Sequence, residues 1–144
     1  MEFAEATDMY QAELDVVKNI KEEFGEDISL PADELEIKRF SEAFGEVFHM
    51  DVPQAYLAFL RLCNGFEFNG CIIYSCQNMI ENQLDYNFIT DNYIVFAEYD
   101  IGWFCLEKSN GKYCELDRPS GERVRIFDTL EEMIKYVLCL SVRI

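Results

Sequence analysis

The chain has 144 residues, of which 50% are hydrophobic and 15% aromatic, and its 28 acidic and 12 basic residues give a formal charge of -16. Twelve Phe and eight Tyr exclude a disordered acidic tail, because such a tail lacks the apolar groups that offset the entropy of ordering. The length predicts a single domain over residues 1–144 with one hydrophobic core.

The sequence predicts a cytoplasmic protein. No stretch approaches the ~20 consecutive apolar residues of a bilayer span, and the first residues lack the basic flank and apolar run of a signal peptide. The cysteines include no Cys-x-x-Cys pair and have mostly apolar neighbours, which favours reduced thiols in the core. They are Cys63, Cys71, Cys76, Cys105, Cys114 and Cys139.

Acidic residues dominate the first three quarters of the chain. Residues 1–36 contain twelve acidic and two basic residues, and residues 40–107 contain ten acidic residues and one basic residue, Arg61. This charge argues against nucleic acid and against anionic membranes as partners, since both would be repelled. It favours a basic protein partner, whose association would be fast and salt-sensitive, although solubility alone also explains it.

Apolar spacing in the first half predicts three helices. The first lies in the acidic segment 1–27 and has one apolar face, formed by Phe3, Ala6, Tyr10, Leu14, Val17, Ile20 and Phe24. Asp33 and Glu36 fit a capping box for a second helix that reaches Gly45. Pro53 suits the first turn of a third helix, and Asn64-Gly65 supplies its stop.

The second half predicts strands. Residues 66–75 form a hairpin around Asn69-Gly70, and a helical turn follows at 79–84 within a polar loop. Four short strands then cover 93–99, 101–108, 112–117 and 123–127.

A two-residue turn at Asn110-Gly111 joins the middle two of these strands and places Ser109 opposite Lys112 and Cys105 opposite Leu116. The same pairing puts Trp103, Cys105, Cys114 and Leu116 on one buried face.

The chain closes with a second capping box at 128–131 and a helix that carries an apolar face of Leu130, Met133, Ile134, Val137 and Leu138. The order of elements predicts an α+β fold with a largely antiparallel sheet of five to six strands, packed with the N-terminal helices and the C-terminal helix.

The sequence contains no catalytic constellation. His49 is the only histidine, which excludes a two-histidine metal site and favours a loop or packing role for this residue. Paired carboxylates such as Glu22-Glu23 are helix neighbours that do not face each other, and no phosphate-binding or nucleophile motif is present. We therefore expect no enzymatic activity, no cofactor and no metal.

Aromatic and acidic residues alternate around the polar loop and the strand that follows it. Such a surface fits a protein partner, because aromatic residues are frequent hot spots and function concentrates on loops. The candidate partner-binding residues are Asp85, Tyr86, Asp91, Glu98, Tyr99 and Asp100, and core packing is the alternative role for about half of the aromatic residues of this region.

An ordered series of motifs resembles a known family. It comprises Leu30-Pro31, the apolar stripe from Ile37 to Gly45, the run from Val52-Pro53 through Tyr56 to Leu60, and Asn64-Gly65. These motifs resemble the SUKH superfamily, which includes fungal regulators of cell-wall assembly and glucan synthesis and many bacterial immunity proteins. The run from Phe68-Asn69-Gly70 to Ser75 is similar to the YrhA-type bacterial subgroup, and the resemblance covers residues 28–140.

The resemblance implies a non-catalytic α+β domain that binds other proteins. It implies in particular an immunity protein that neutralises a toxin in the cytoplasm, for which a basic nuclease-type toxin domain would be the partner. A scaffold or regulator of endogenous proteins, such as one acting in cell-wall or glucan synthesis, is the alternative, and a shared fold does not choose between them.

Overall fold

The computed structural model describes residues 9–83 and 92–143. Three helices come first: α1 (Gln11–Glu23), α2 (Glu34–Phe48) and α3 (Gln54–Leu60). The hairpin β1 (Phe66–Phe68) and β2 (Cys71–Ile73) and the short helix α4 (Met79–Gln83) follow. The chain continues with β3 (Tyr93–Tyr99), β4 (Gly102–Glu107), β5 (Lys112–Asp117), β6 (Arg123–Phe127) and α5 (Leu130–Arg143).

The six strands form one antiparallel sheet in the order β1-β2-β3-β4-β5-β6. Helix α5 packs against β2, β5 and β6 and also contacts α1 and α3, so it joins the helical half of the chain to the sheet. The predicted α+β class, the antiparallel sheet and the flanking helices are confirmed. None of the helices within the described ranges is long and apolar enough to cross a bilayer.

The apolar face predicted for α1 is confirmed at Tyr10, Leu14 and Val17, which are buried, but the prediction for Phe24 is wrong. The helix ends at Glu23, so Phe24 leaves the helical face and is 70% exposed. Its place is taken by Lys21, a buried cation whose Nζ donates a 2.9 Å hydrogen bond to the carbonyl of Glu67. Phe3 and Ala6 lie outside the described residues.

Helix α2 begins where the capping box predicts and ends later than predicted. Asp33 Oδ1 accepts from the Glu36 amide at 2.8 Å, and Glu36 Oε1 accepts from the Asp33 amide at 3.0 Å. The helix continues through Gly45 to Phe48, because the additional turn packs the Phe48 ring against the Phe44 ring, with centroids 4.6 Å apart and ring planes tilted by 55°. The sole histidine, His49, is the left-handed residue that ends this helix, and it is exposed.

Two other predicted boundaries shift for local reasons. Helix α3 ends at Leu60, several residues before Gly65, so Gly65 directs the chain into β1 instead of ending the helix. The side-chain cap of α5 lies one residue later than predicted: the Glu132 amide donates to Thr129 Oγ1 at 3.1 Å, and Glu132 Oε2 accepts from the Asp128 amide at 3.1 Å. The apolar face of α5 is buried as predicted.

The predicted pairing of β4 with β5 is wrong by two residues. Glu107 pairs with Lys112 and Cys105 pairs with Cys114, so a four-residue loop replaces the two-residue turn. In that loop Asn110 does not adopt a positive φ, and its Oδ1 accepts from the Lys112 amide at 2.9 Å. A shift of two residues preserves the side of the sheet, so the predicted shared face is confirmed with the cross-strand pairs Trp103–Leu116 and Cys105–Cys114.

Gly65 lies close to Ser75, the residue that follows the β1–β2 hairpin and Tyr74. Its φ is +91°, and a Cβ there would lie 2.8 Å from Ser75 Cβ and 3.2 Å from Ser75 Cα. A substituted residue would therefore meet both backbone strain and a steric clash.

We expect Gly65→Ala to lower the free energy of unfolding by about 3 kcal/mol or more. Gly111→Ala is the matched control, because Gly111 also has a positive φ, of +71°, but has open space around it, so only the conformational cost of about 1 kcal/mol applies. Urea denaturation followed by circular dichroism measures both values. Equal losses in the two variants would contradict the close approach to Ser75.

Candidate functional site

A polar cleft of about 400 Å³ opens beside the β1–β2 hairpin and α4, and we call it the hairpin cleft. The described residues that line it include two carboxylates and several amides and hydroxyls but no lysine or arginine. Its polar side chains come from Ser29, Asn64, Glu67, Tyr74, Ser75, Asn78, Asn82 and Glu98.

The two carboxylates of the hairpin cleft lie on one row of the sheet. Glu67 is directly opposite Ile72 in the β1–β2 ladder, and Ile72 is directly opposite Glu98 in the β2–β3 ladder. Directly opposed residues point to the same side of a sheet, about 5 Å apart. Glu67 and Glu98 therefore flank a half-buried isoleucine, an arrangement that fits a cationic side chain with an apolar stem.

Glu98 is held by neighbouring groups. Its Oε2 accepts a 3.1 Å hydrogen bond from the Tyr74 hydroxyl and lies 3.9 Å from Arg118 Nη1. Glu67 lies on the outer strand, and its side chain is exposed. The cleft thus combines one carboxylate that is fixed in position with one that extends into solvent.

Asn64 determines the shape of the cleft wall. Its backbone amide donates to the Leu30 carbonyl, its Oδ1 accepts from the Cys76 amide, and its Nδ2 donates to Gln77 Oε1, each at 2.9 Å. Gln77 in turn donates to Glu36 of α2 at 2.5 Å. Through its backbone amide and its side chain, Asn64 thus ties the loop before α2 to the loop after β2.

Beneath this wall, Tyr56 of α3 donates a 2.5 Å hydrogen bond to the carbonyl of Tyr74. Tyr56 is fully buried, and its ring meets Phe96 of β3 edge-on with centroids 5.0 Å apart. Helix α3, the end of β2 and the sheet are therefore locked together directly under the cleft.

The structure places three of the predicted partner-binding residues at the end of β3 and in the turn that follows it. Asp100 is exposed beside the β1–β2 turn, and a Cβ on Gly70 would lie 3.3 Å from its Oδ1. Glu98 lines the hairpin cleft. The Tyr99 hydroxyl donates to Glu115 Oε2 at 2.8 Å, and burial together with this carboxylate raises the pKa of Tyr99 well above its ordinary value.

The other three predicted residues, Asp85, Tyr86 and Asp91, lie outside the described residues. Their assignment to a partner surface stays a prediction, as does that of Glu98, Tyr99 and Asp100. Tyr99 and Asp100 differ in their surroundings. The Tyr99 hydroxyl bonds to Glu115 of β5, whereas Asp100 is exposed.

Residues 31–136 match the SMI1 / KNR4 family (SUKH-1). The chain belongs to this family. Members of the SMI1 / KNR4 family are generally non-catalytic. No curated protein matches the chain. The YrhA-type subgroup is not confirmed.

The SMI1 / KNR4 match includes the whole wall of the hairpin cleft except Ser29, whereas α1 lies outside it. Glu67 and Asn64 line the hairpin cleft although no sequence pattern identified them as site residues. The Asn64-Gly65 motif predicted only the end of a helix at Asn64. Glu67 alternates with two phenylalanines and so was identifiable as outward-facing, but its relation to Glu98 depends on the strand order.

The cysteines and the histidine do not form a reactive centre. Burial raises the pKa of Cys63, Cys71 and Cys76 to about 11 in each case, so these thiols hold their protons at neutral pH and are weak nucleophiles. His49 is an exposed helix end. Across residues 9–83 and 92–143, no group of three His, Cys, Asp or Glu side chains is placed to hold a metal ion.

We expect Asn64→Ala to lower the free energy of unfolding by about 2 kcal/mol, because the Cys76 amide and the Gln77 amide group lose their partner. Asn110→Ala is the control, since Asn110 makes a similar local bond, to the Lys112 amide, in an exposed turn. Thermal unfolding measures both effects. An equal or smaller loss for Asn64→Ala would contradict the central position of this side chain.

We expect the protein to lose stability at alkaline pH because its buried thiols titrate at higher pH in the folded chain than in the unfolded chain. Burial raises the pKa of Cys63, Cys71, Cys76 and Cys114 from 9.0 to about 11. The unfolded chain therefore releases these protons near pH 9 while the folded chain still binds them, so stability is complete below pH 9 and falls as the pH rises toward 11.

Urea midpoints at pH 7.5, 9 and 10, measured with reductant present, should decrease in that order. Cys114→Ala removes one of the titrating thiols and should make the decrease less steep. An unchanged pH dependence in this variant would show that Cys114 does not contribute to the decrease.

Proposed function

We propose that this protein is a non-catalytic cytoplasmic domain that binds a basic protein partner through an acidic surface made of the hairpin cleft and Asp100. The observation that carries the proposal is the row of Glu67, Ile72 and Glu98 in a cleft without cationic lining among the described residues. Family membership supports a protein-binding role, and the charge of -16 supports a basic partner.

The partner we favour is a basic toxin domain, and its neutralisation is the activity we infer. An acidic inhibitor can occupy the basic nucleic-acid site of a nuclease, because its carboxylates take the place of phosphates. Regulation of endogenous proteins, for example in cell-wall or glucan synthesis, is the second candidate function, and family membership is consistent with both.

In both functions the protein would bind its partner through complementary shape and charge and would not catalyse a reaction. The rigid wall around Asn64 and Tyr56 favours this, since a preformed surface loses little entropy on binding. Long-range attraction by the acidic field would accelerate encounter, and it would weaken as salt screens it beyond about 10 Å.

The test is affinity purification with the full chain as bait from its native organism at low and high salt, with bound proteins identified by mass spectrometry. We expect a basic protein that is released by high salt, with about tenfold or greater loss of affinity. A toxin domain encoded near this gene would support neutralisation. A cell-envelope or housekeeping protein would support the regulator, and the absence of any salt-sensitive protein partner would contradict the proposal.

Charge reversal locates the surface. The double variant Glu67→Lys and Asp100→Lys should lower the affinity for the captured partner at least about tenfold, because it places like charges against a basic surface. The double variant Glu22→Lys and Glu23→Lys makes the same change of net charge at the exposed end of α1 and should retain the affinity within about threefold. Equal losses would point to a general effect of net charge and contradict the assigned surface.

A further inference from the structure

Two asparagines, Asn78 and Asn82, line the hairpin cleft from the side of α4. The Asn82 backbone amide donates to the Asn78 carbonyl at 2.9 Å, so the two residues are one helical turn apart, about 6 Å along the axis. Asn78 Oδ1 accepts from the Ser75 amide at 2.9 Å, which fixes this side chain where α4 begins. The cleft therefore has amides on its helical side and carboxylates on the sheet.

The side-chain amide of Asn82 is half-buried, and it makes no hydrogen bond to any of the residues that the structure describes. A side-chain amide carries two donors and an acceptor, so it can donate to and accept from the main chain of a bound segment at the same time. The next residue of the helix already binds a main chain in this way. Gln83 Nε2 donates to the Val95 carbonyl at 2.6 Å, and its Oε1 accepts from the Val95 amide at 2.8 Å.

The bonds of Gln83 also fix the position of the helix. Val95 belongs to β3, the strand that carries Glu98, so α4 is attached directly to the strand that supplies one of the two carboxylates. The distance between the Asn82 amide and the acidic row is therefore set by the fold before a partner binds.

The carboxylates of the cleft are spaced for two cations. Glu67 and Glu98 lie on either side of Ile72, so their Cα atoms are two strand spacings, about 10 Å, apart. In an extended chain, side chains two residues apart share a side and begin about 7 Å apart, and the flexible stems of lysine span the remaining distance. The acidic row ends at Glu98, because Trp103 lies opposite it on β4 and Arg118 covers the Trp103 ring.

We propose that the hairpin cleft binds an extended segment of the basic partner in which basic residues occupy alternate positions. Asn82 bonds to the main chain of the segment, and two lysine or arginine side chains reach Glu67 and Glu98. Ile72 contacts the apolar stem of one of these side chains. The inference rests on the proposed function, and it adds the conformation and the sequence pattern of the segment that enters the cleft.

A helical segment is a poorer occupant of the cleft. The backbone groups of a helix are bonded within the helix, so Asn82 would find none to bind, and a helix with its side chains is about 10 Å wide. A free polyamine could reach both carboxylates but has no peptide group for Asn82. An extended segment supplies main-chain groups and alternate side chains together.

The test is a nuclear magnetic resonance titration of the isotope-labelled full chain with the peptide acetyl-Ser-Lys-Ser-Lys-Ser-amide at low salt. We expect amide shifts concentrated in β1, β2 and α4, with a dissociation constant of about 1 mM or lower. A peptide with glutamate in place of lysine should leave these amides unshifted, because the carboxylates of the cleft repel it. A lysine peptide N-methylated at its three central residues keeps its charge but loses backbone donors, and it should bind at least about fivefold more weakly.

Asn82→Ala, confirmed to be folded by its thermal unfolding, should weaken the lysine peptide about tenfold but the N-methylated peptide less than about threefold, because the two changes remove the same contact. Asn110→Ala is the matched control at an exposed asparagine of the β4–β5 loop, and it should retain the affinity within about twofold. The proposal is overturned if the amides of the cleft do not shift, if neither N-methylation nor Asn82→Ala weakens binding, or if spermidine binds as tightly as the lysine peptide.

The results also separate this proposal from the function on which it rests. A captured basic protein that the variant Glu67→Lys with Asp100→Lys releases, combined with a lysine peptide that does not bind, supports the function and overturns the extended segment. The absence of any salt-sensitive protein partner contradicts the function, whether or not the peptide binds to the cleft.

Discussion

The close approach of Gly65 to Ser75 is the constraint on which the rest of the structure depends. It brings the end of the helical half against the segment that follows β2, and that proximity allows Asn64 to bond to the Cys76 amide and Tyr56 to bond to the Tyr74 carbonyl. Each of these bonds satisfies a backbone group that would be costly to leave without a partner in the interior. The wall of the hairpin cleft is therefore a product of the packing that joins the two halves, and its shape is fixed before any partner arrives.

The two edge strands of the sheet, β1 and β6, differ in the charges and apolar side chains that surround them. At β1 a buried lysine bonds to the edge carbonyl and the neighbouring row carries carboxylates, whereas at β6 the arginines are neutralised by buried glutamates and the edge keeps its apolar side chains. A net charge of -16 therefore describes the molecule poorly at the level of a single contact surface.

Sequence patterns within a few residues predicted the helices and turns well, whereas the pairing between strands was predicted less accurately. The capping box at Asp33, the turn at Asn69-Gly70 and the apolar face of α5 each depend on neighbours within a few residues, and each is confirmed. The β4–β5 register was wrong because Asn-Gly is compatible with more than one turn, and a two-residue shift leaves the buried face unchanged. Apolar periodicity cannot distinguish two registers that bury the same side chains.

The same limit applies to the candidate site. Glu98 and Asp100 were accessible to sequence reasoning because they lie at the end of a recognisable strand and directly after it, but the grouping of Glu67 with Glu98 requires the order β1-β2-β3. The misassigned Phe24 has a related cause, since the burial of Lys21 depends on a carbonyl 46 positions further along the chain.

The contacts of Lys21 show that the packed domain extends beyond the region that matches the family. The match begins at residue 31, yet α1 contributes Tyr10, whose hydroxyl bonds to the Ala55 carbonyl at 2.8 Å, and Lys21, whose Nζ lies 4.9 Å from the centre of the Phe68 ring. Without α1, the β1 edge would present an open carbonyl and an uncovered aromatic ring to the solvent. The acidic first helix thus covers one edge of the sheet, although it lies outside the region that matches the family.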